Sequence, residues 1–417
     1  MNVTVTPAPL GGTIAAIPSK SDAHRLMICA ALADKPTELA LSQSSEDIDA
    51  TIGCLRALGA KLEWVGSSLR ISPIETPASF PILDCGESGS TLRFLLPVAA
   101  ALCQQAQFIG SGRLPERPLS QLIAALKPHG VAFSAEKLPL ITTGRLQSGE
   151  FTLPGNVSSQ YVTGLLLALP MLSGDSRITL TTLLESAAYV DITLSALEKF
   201  GVAVQRQKDG FFIPGGRRFR SPGKAEVEGD WSNAAFFLCA GAIGGEVSVT
   251  GLNPASPQGD RRIVSLLRRF GARIEESENG ITAKRSRLIG CEIDINETPD
   301  LLPALAVVAA FSQGETRFVN AARLRLKESD RLTSTASLIN ALGGSATELP
   351  SGLVVRGKKL TGGYADSFRD HRIAMAAAVA AVGCEQPVII AGAECAAKSY
   401  PAFYRDFCKL GGIADVI

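Results

Sequence analysis

The chain of 417 residues has little histidine, tryptophan or methionine and almost no net charge. Because 41 Lys and Arg residues are balanced by 40 Asp and Glu residues, we expect no nucleic-acid partner. None of the three histidines has a second His or Cys at ligand spacing, so we expect no zinc or other metal. The nine cysteines are scattered and form no CxxC pair, which is typical of reduced core residues.

Long hydrophobic runs are also missing. The longest, 164–172 and 373–383, fall far short of the ~20 residues that cross a bilayer, so we expect no membrane association. Residues 1–5 carry no signal-peptide pattern, and a cytoplasmic protein is expected. Neither GxxxxGK[ST] nor GxGxxG follows a strand, and GxSxG is absent. These absences disfavour a kinase, a dehydrogenase and a nucleotide cofactor, and we expect no cofactor at all.

A helix-ending pattern occurs six times along the chain. It is first seen as Leu55-Arg-Ala-Leu-Gly59, and its glycines stand at 59, 130, 201, 271, 343 and 411. Each glycine suits the left-handed position that ends a helix. An earlier helix in each unit is rich in Ala and Leu and apolar on all faces, as buried helices are. These inner helices are expected to begin near Ser21, Ser90, Ser158, Ser232, Asp300 and Asp370.

The repeat predicts an α/β fold of six units, each about 70 residues long. Six units are too many for one core of ordinary size, and they divide three and three. A change of composition near 223–230 and the Gly11-Gly12 pair indicate the two junctions. We therefore expect one lobe at 13–228, a second at 1–12 plus 229–417, and the active site in a cleft between them.

Cations accompany the ordinary N-cap residues at the starts of the inner helices. Lys20, Arg25, Arg93 and Arg372 lie where the helix dipole is positive, which costs stability unless an anion is bound there. Free helix amides with a nearby Lys or Arg are a standard site for phosphate or carboxylate. The sequence thus predicts an electropositive chamber for small, multiply anionic ligands. Further candidate cations are Arg113, Arg117, Arg323, Lys327, Arg331 and Lys398.

At these residues the chain resembles the 5-enolpyruvylshikimate-3-phosphate synthase family, over essentially its full length. The motifs that carry the resemblance are Pro18-Ser-Lys-Ser-Asp-Ala-His-Arg25, Asp84-Cys-Gly-Glu-Ser-Gly-Ser-Thr-Leu-Arg93, Leu114-Pro-Glu-Arg-Pro118, Val157-Ser-Ser-Gln160, Tyr189-Val-Asp191, Pro299-Asp300, Leu326-Lys-Glu-Ser-Asp-Arg331, Asp370-His-Arg372 and Ala397-Lys-Ser-Tyr-Pro401. The resemblance implies two inverted α/β lobes, each with three βαβαββ units around buried parallel helices. It also implies an enzyme that transfers the enolpyruvyl group of phosphoenolpyruvate to the 5-hydroxyl of shikimate 3-phosphate and releases phosphate. Such an enzyme takes part in chorismate and aromatic amino acid synthesis. The resemblance further implies a monomer and a target of glyphosate.

The resemblance also implies roles for individual residues. Shikimate 3-phosphate would be held by Lys20, Ser21, Arg25, Ser158, Ser159, Gln160, Ser186, Asp300, Arg323 and Lys327. Phosphoenolpyruvate would be held by Lys20, Gly89, Arg117, Gln160, Arg331, Arg372 and Lys398. Asp300 would be the base for the hydroxyl, and Glu328 the proton relay to the methylene carbon, with Lys20 as the other candidate acid. Without the resemblance, Asp300 reads as an N-cap and Glu328 as a partner of Arg331.

Two positions depart from the family pattern, and two other functions compete with it. Glu87 stands where Asn is usual, next to a site for an anion, and Arg323 replaces a frequent Asn. The nearest alternative is the enolpyruvyl transferase that acts on UDP-N-acetylglucosamine, but its reactive loop cysteine is missing from 110–117. A non-catalytic anion-binding protein is the other alternative, and it would need neither Asp300 nor Glu328.

Overall fold

The computed structural model describes residues 1–417, which form two compact units. The first unit is 18–227, and the second combines 1–17 with 228–417. The first crossing falls at Ile17/Pro18 rather than at the expected 12/13. The reason is that strand β2 (Gly11–Ala15) pairs in parallel with strand β15 (Glu246–Thr250) of the second unit. The second crossing lies at Val227/Glu228.

Each unit contains three four-stranded sheets, in which one parallel pair is extended by two antiparallel strands. Strands and helices are numbered in chain order. The first unit has the sheets β14 (Lys224–Glu226), β3 (Thr37–Ala40), β5 (Ser68–Ser72), β4 (Lys61–Val65); β6 (Ile82–Asp84), β7 (Gln105–Ile109), β9 (Leu140–Thr143), β8 (Ala132–Phe133); and β10 (Glu150–Leu153), β11 (Ser176–Leu180), β13 (Gly210–Ile213), β12 (Gln205–Gln207).

The second unit repeats this arrangement. Its sheets are β2, β15, β17 (Gly280–Lys284), β16 (Arg273–Ser277); β18 (Glu292–Asp294), β19 (Glu315–Val319), β21 (Gly352–Arg356), β20 (Ser345–Leu349); and β22 (Gly363–Asp366), β23 (Val388–Ala391), β1 (Asn2–Thr6), β24 (Ile413–Val416). The N-terminal strand β1 thus completes the sheet of the last repeat. The six-fold α/β repeat expected from the glycine spacing is confirmed.

Two kinds of helix alternate with the strands. The inner helices are α1 (Lys20–Ala31), α3 (Gly89–Leu102), α5 (Ser159–Ala168), α7 (Trp231–Gly244), α9 (Leu302–Ala310) and α11 (His371–Ala381). The outer helices are α2 (Glu46–Leu58), α4 (Ser120–Leu126), α6 (Ala187–Lys199), α8 (Ile263–Arg269), α10 (Arg331–Ala341) and α12 (Phe403–Lys409). The inner helices are buried almost throughout, as their apolar composition predicts, and each unit has its own core. No helix combines the length and hydropathy needed to span a membrane.

The ends of the helices follow from local chemistry. All six glycines of the repeat adopt a positive φ, between 72° and 115°, as the helix-ending pattern predicts. Ser19, Ser88, Ser158, Asp230 and Asp370 cap five inner helices by accepting a hydrogen bond from a backbone N–H of the first turn. Helix α9 differs, because a 3-10 turn at Pro299–Leu301 precedes it and no side chain caps that turn. The Asp300 carboxylate is therefore available for other contacts.

Candidate active site

Lys20 is the first residue of helix α1, and its ammonium is paired within the first unit. The Nζ atom lies 2.8 Å from Oδ2 of Asp47 on helix α2, and both side chains are largely buried. The negative charge of Asp47 offsets the unfavourable placement of a cation at a helix N-terminus. Asp47 was not predicted from the sequence, because nothing in its local pattern distinguishes it from other acidic residues of a first helical turn.

Arg25 lies one turn further along helix α1 and is only 2% exposed. Its Nε donates to Thr193 Oγ1 at 2.8 Å, its Nη2 to the Tyr189 carbonyl at 2.9 Å, and its Nη1 to the Ser21 carbonyl at 2.5 Å. A fourth, longer contact runs from Nη2 to Thr163 Oγ1 at 3.4 Å. Four of the five guanidinium N–H groups are thus used by the protein, which leaves one for a ligand. Burial lowers the pKa of Arg25 to about 10, so it stays cationic at neutral pH.

These contacts bring the starts of helices α1, α5 and α6 to the same end of the first unit. Arg25 reaches the early turns of both α5 and α6, and α6 packs against α1 and α5. Ser158 caps α5, Ser159 begins it, and Ser186 precedes α6 in a left-handed conformation with φ 52°. Such a φ is uncommon for serine and often marks a functional position. Ser21 and these three serines therefore lie at the starts of the three helices that Arg25 connects.

A second group of predicted residues gathers at the start of helix α3. Arg93 Nη1 donates to Gln160 Oε1 at 2.7 Å, and Gln160 Nε2 donates to Ser90 Oγ at 3.0 Å. A methyl group at Gly89 would lie 2.7 Å from Nη1 of Arg117 and 2.9 Å from Nη1 of Arg93. Only glycine lets both guanidinium groups approach the helix N-terminus this closely. Gly89, Arg93, Arg117 and Gln160 together are called the Gly89 site below.

Glu87 lies on the loop just before the Gly89 site. Its carboxylate occupies the space over Gly112, where any side chain would overlap it. Gly112 belongs to the loop that leads to Arg117, and it has a positive φ of 56°. The negative charge that Glu87 brings in place of the usual Asn therefore lies against the loop that carries Arg117, a predicted anion-binding residue.

The second unit carries a cluster of charged residues around Asp300. The Oδ1 atom of Asp300 lies 2.6 Å from Arg331 Nη1 and 3.3 Å from Lys327 Nζ, and its Oδ2 lies 3.1 Å from Arg372 Nη2. Glu328 Oε2 lies 2.6 Å from Arg331 Nη2. These five residues are called the Asp300 cluster. Asp300 is thus no N-cap, whereas the pairing of Glu328 with Arg331, the plain alternative from the sequence, is present.

Asp370 positions the cluster from helix α11. Its Oδ2 accepts from Arg331 Nε at 2.8 Å and from the Ser329 hydroxyl at 3.0 Å, while its Oδ1 accepts from the Arg372 backbone N–H as the helix cap. Arg331 is 1% exposed and touches three carboxylates. The sequence marked Asp370 only as a helix start. Its contact with Arg331 depends on the packing of α10 against α11, which no local pattern reveals.

The electrostatics of the cluster keep Asp300 ionised. Burial alone would raise the pKa of Asp300, but Arg372, Lys327 and Arg331 together hold it well below its ordinary value. Burial opposes a charged Arg331, yet Asp370, Glu328 and Asp300 raise its pKa above the ordinary value. Burial lowers the pKa of Lys327. In this state Asp300 is a weak base, and it becomes a stronger one when the three cations find other anions.

A further buried carboxylate, Asp260, lies near the cluster. The Ser232 hydroxyl donates to its Oδ2 at 2.6 Å, and its Oδ1 is buried without a hydrogen-bond partner. Burial and, to a smaller extent, the charge of Asp300 raise the pKa of Asp260 to about 7, although Arg372 opposes this shift. Sequence reasoning missed Asp260 because only tertiary packing removes it from water.

Asp260 should make the stability of the protein depend on pH. A folded-state pKa of about 7 exceeds the ordinary 3.8, so this carboxyl destabilises the fold increasingly as pH rises from about 4 to about 7. At pH 8 we expect the free energy of unfolding of Asp260→Asn to exceed that of the parent by up to about 4 kcal/mol, so that the variant unfolds at higher urea. At pH 4 we expect the two proteins to unfold at similar urea concentrations. Urea titrations at the two pH values measure this difference, and a gain that is equal at both would refute the assignment.

Two other predicted cations belong to the second unit. Arg323 is on the 3-10 turn Ala322–Leu326 and donates to the Asn296 carbonyl. Lys398 ends the 3-10 turn Ala393–Lys398, is almost fully buried, and belongs to a turn that packs on helix α11. Their roles in binding substrate stay predictions.

Comparison with solved structures shows the fold of the enolpyruvyl transferases. An EPSP synthase from Acinetobacter baumannii is similar with a TM-score of 0.83 and 26% identity, and the match covers 100% of both chains. The enolpyruvyl transferase NikO from Streptomyces tendae shares the fold with a TM-score of 0.79 and 17% identity, over 99% of this chain and 98% of that one.

Comparison with families and curated proteins is more specific. The model of the EPSP synthase (3-phosphoshikimate 1-carboxyvinyltransferase) family matches residues 5–407, and the chain belongs to this family. The 3-phosphoshikimate 1-carboxyvinyltransferase of Clostridium kluyveri is 45% identical over 417 residues, covering 99% of this chain and 98% of that protein. The protein of the same name from Clostridioides difficile is 40% identical, with the same coverage. The resemblance, the fold class and the enzyme class expected from the sequence are confirmed.

Proposed function

We propose that the chain transfers the enolpyruvyl group of phosphoenolpyruvate to the 5-hydroxyl of shikimate 3-phosphate, with release of phosphate. The observation that carries this proposal is the Asp300 cluster, in which one ionised carboxylate is held by Lys327, Arg331 and Arg372. A base surrounded by cations suits a reaction between two anionic substrates. We further propose a cytoplasmic monomer that needs no cofactor and is inhibited by glyphosate in competition with phosphoenolpyruvate.

Each unit supplies part of the proposed binding groups. The serines around Arg25 offer hydroxyl groups to the phosphate and carboxylate of shikimate 3-phosphate, with Lys20 between the two substrates. The Gly89 site offers helix amides and two guanidinium groups to phosphoenolpyruvate. In the other unit Arg331 and Arg372 serve phosphoenolpyruvate, with Lys398, while Lys327 and Arg323 serve shikimate 3-phosphate. The proposed reaction requires both half-sites to engage the substrates together.

Substrate binding would activate the base. When phosphate and carboxylate groups pair with Lys327, Arg331 and Arg372, these cations stabilise the Asp300 carboxylate less, and its pKa rises. Asp300 then accepts the proton of the 5-hydroxyl, whose oxygen attacks the central carbon of the enolpyruvyl group. Glu328 or Lys20 protonates the methylene carbon, which gives a tetrahedral adduct with a methyl group. When the bond between the central carbon and the phosphate oxygen breaks, the same group takes a proton back from this methyl group, and the double bond of the enolpyruvyl product forms again. The surrounding cations orient both substrates and stabilise the departing phosphate.

Release of inorganic phosphate that requires both substrates tests the proposal directly. We expect no release with either substrate alone, and none when UDP-N-acetylglucosamine replaces shikimate 3-phosphate. Release of phosphate from phosphoenolpyruvate with UDP-N-acetylglucosamine as the acceptor, and not with shikimate 3-phosphate, would favour the other enolpyruvyl transferase. Tight binding of shikimate 3-phosphate without any turnover would favour an anion-binding protein.

Replacing Glu87 should strengthen phosphoenolpyruvate binding. The Glu87 carboxylate lies against the loop that leads to Arg117, where it opposes a second anion. Removing one such partly exposed charge is worth ~0.6 kcal/mol, so we expect Glu87→Asn to lower the KM for phosphoenolpyruvate about threefold. Inhibition by glyphosate should strengthen in parallel. Glu87→Asp keeps the charge and is the control; unchanged steady-state kinetics in Glu87→Asn would contradict the prediction.

A further inference from the structure

A continuous chain of polar side chains lies buried beneath the start of helix α3. His24 Nδ1 is 2.7 Å from Thr51 Oγ1, Thr51 Oγ1 is 2.7 Å from Thr91 Oγ1, and Thr91 Oγ1 donates to Ser88 Oγ at 2.8 Å. All four residues have no exposed surface. The chain connects helices α1, α2 and α3, and none of its members was predicted to bind a substrate.

Counting protons sets the direction of every hydrogen bond in this chain. Each threonine hydroxyl has one proton. Thr91 uses its proton toward Ser88, or more weakly toward the Asp47 carbonyl at 3.5 Å, so it must accept from Thr51. Thr51 has then used its own proton, so it must accept from His24 Nδ1–H. The hydroxyl chain therefore requires the neutral His24 tautomer that is protonated at Nδ1.

The surroundings of His24 agree with this state. Its Nε2 is buried with no hydrogen-bond partner, and its ring meets Phe94 edge-on at 6.2 Å between centroids. Burial lowers the pKa of His24 to about 3, Lys20 and Arg25 lower it too, and Asp47 only partly opposes them. His24 thus stays neutral through the physiological range, and its tautomer does not change with pH.

The series of hydrogen-bonded side chains ends at Ser88, next to the Gly89 site. Ser88 is the N-cap of helix α3, and its Oγ accepts from both the Thr91 backbone N–H and the Thr91 hydroxyl. The next residue is Gly89, against which Arg117 and Arg93 pack. The first N–H groups of a helix have no partner within it and bind anions when they are correctly aimed. Whatever fixes Ser88 therefore also fixes these N–H groups.

We propose that His24, Thr51, Thr91 and Ser88 form a positioning network that holds the start of helix α3 in the conformation that binds the anionic substrate at Gly89. The four side chains act through the backbone of the Gly89 site and touch no reacting atom. The inference rests on the proposed function only in naming that substrate as phosphoenolpyruvate, and inorganic phosphate is a second probe that does not depend on it.

Kinetics of a threonine variant test the network. Thr51→Val removes the central hydroxyl with little change of volume, and one lost buried hydrogen bond corresponds to about a three- to tenfold change in binding. We expect the KM for phosphoenolpyruvate to rise by that factor, with kcat and the KM for shikimate 3-phosphate nearly unchanged and with restoration in Thr51→Ser. Thr316→Val is the matched control, because Thr316 is a buried threonine of strand β19 whose hydroxyl makes no hydrogen bond.

Nitrogen-15 NMR of the histidine rings tests the same network in the unaltered protein. Only three histidines are present, so a His24→Asn variant assigns the signal. We expect a neutral ring protonated at Nδ1 from pH 5 to pH 8. Protonation at Nε2, titration within that range, or an equal rise of KM in Thr316→Val would overturn the proposal.

Binding of inorganic phosphate separates this inference from the proposed function. If the protein showed no turnover, weaker phosphate binding in Thr51→Val than in Thr316→Val would still support the network. Equal phosphate binding in the two variants would count against it, whatever the turnover. A Thr51→Val protein that failed to fold would leave the NMR result on the unaltered protein to decide.

Discussion

Replacing Asp300 by alanine will lower kcat by about 10²- to 10⁴-fold, the usual contribution of a general base, while shikimate 3-phosphate still binds. The carboxylate is the only proposed proton acceptor for the 5-hydroxyl. Its loss also removes a carboxylate that competes with substrate anions for Lys327, Arg331 and Arg372, so binding will not weaken. Single-turnover rates and calorimetric titration with shikimate 3-phosphate measure the two effects. Asp300→Asn, which keeps the size of the side chain, should lose turnover equally.

The pH dependence of the parent enzyme provides a second test of Asp300. In the free protein three cations hold its pKa well below 3.8, so kcat/KM will not fall through protonation of Asp300 in the ordinary acid range. In the complex the substrate anions engage those cations and the pKa rises. The acid limb of kcat will therefore lie at higher pH than that of kcat/KM. Coincident limbs, or full turnover in Asp300→Ala, would exclude Asp300 as the base.

Replacing Arg331 by methionine will damage both binding and stability. Arg331 is 1% exposed and pairs with Asp300, Glu328 and Asp370, so its removal leaves three carboxylates without their shared cation. Breaking a buried ion pair from one side typically costs about 3–5 kcal/mol, and we expect a loss of that size in the free energy of unfolding. The same change removes a cation from the proposed phosphoenolpyruvate site and should lower kcat/KM by about 10²-fold.

The destabilisation by Arg331→Met will depend on pH. Without Arg331 the carboxylates are expected to have raised pKa values in the folded state, so they destabilise the fold most when they are forced to ionise. The gap in Tm between parent and variant will therefore shrink as pH falls from 8 to 5. Arg331→Lys keeps the positive charge but not the planar set of guanidinium donors, so we expect its Tm to lie between those of the parent and Arg331→Met. A gap that is constant with pH would show that lost packing, not charge, causes the effect.

The repeat and the inner helices could be predicted because their signals are local. Gly59 and its five equivalents end helices through a conformation that glycine adopts readily, and the Ala- and Leu-rich runs are buried because no face is polar. The pairing of β2 with β15, and of β14 with β3, could not be predicted in the same way. These contacts join strands that are roughly 190 or more positions apart in the chain, and no local sequence pattern indicates which strands pair.

The residues of the candidate site divide in the same way, into those with a local sequence signal and those whose contacts depend on tertiary packing. Lys20 and Arg372 stand out in the sequence because a cation at a helix start needs a reason. Asp47, Asp260 and the chain from His24 to Ser88 do not stand out, because only tertiary packing brings their partners to them. Arg25 lies near the start of helix α1, and its predicted role in binding substrate stays a prediction, because most of its donors form hydrogen bonds within the protein.

The pairing of β1 with β23 and β24 sets an order of assembly during synthesis. All strands of the unit 18–227 are available once residue 227 has left the ribosome, so this unit can fold while translation continues. Strand β1 is made first, yet its partners are made last. Strand β1 therefore cannot form its native pairs until strands β23 and β24 have been made, at the end of translation.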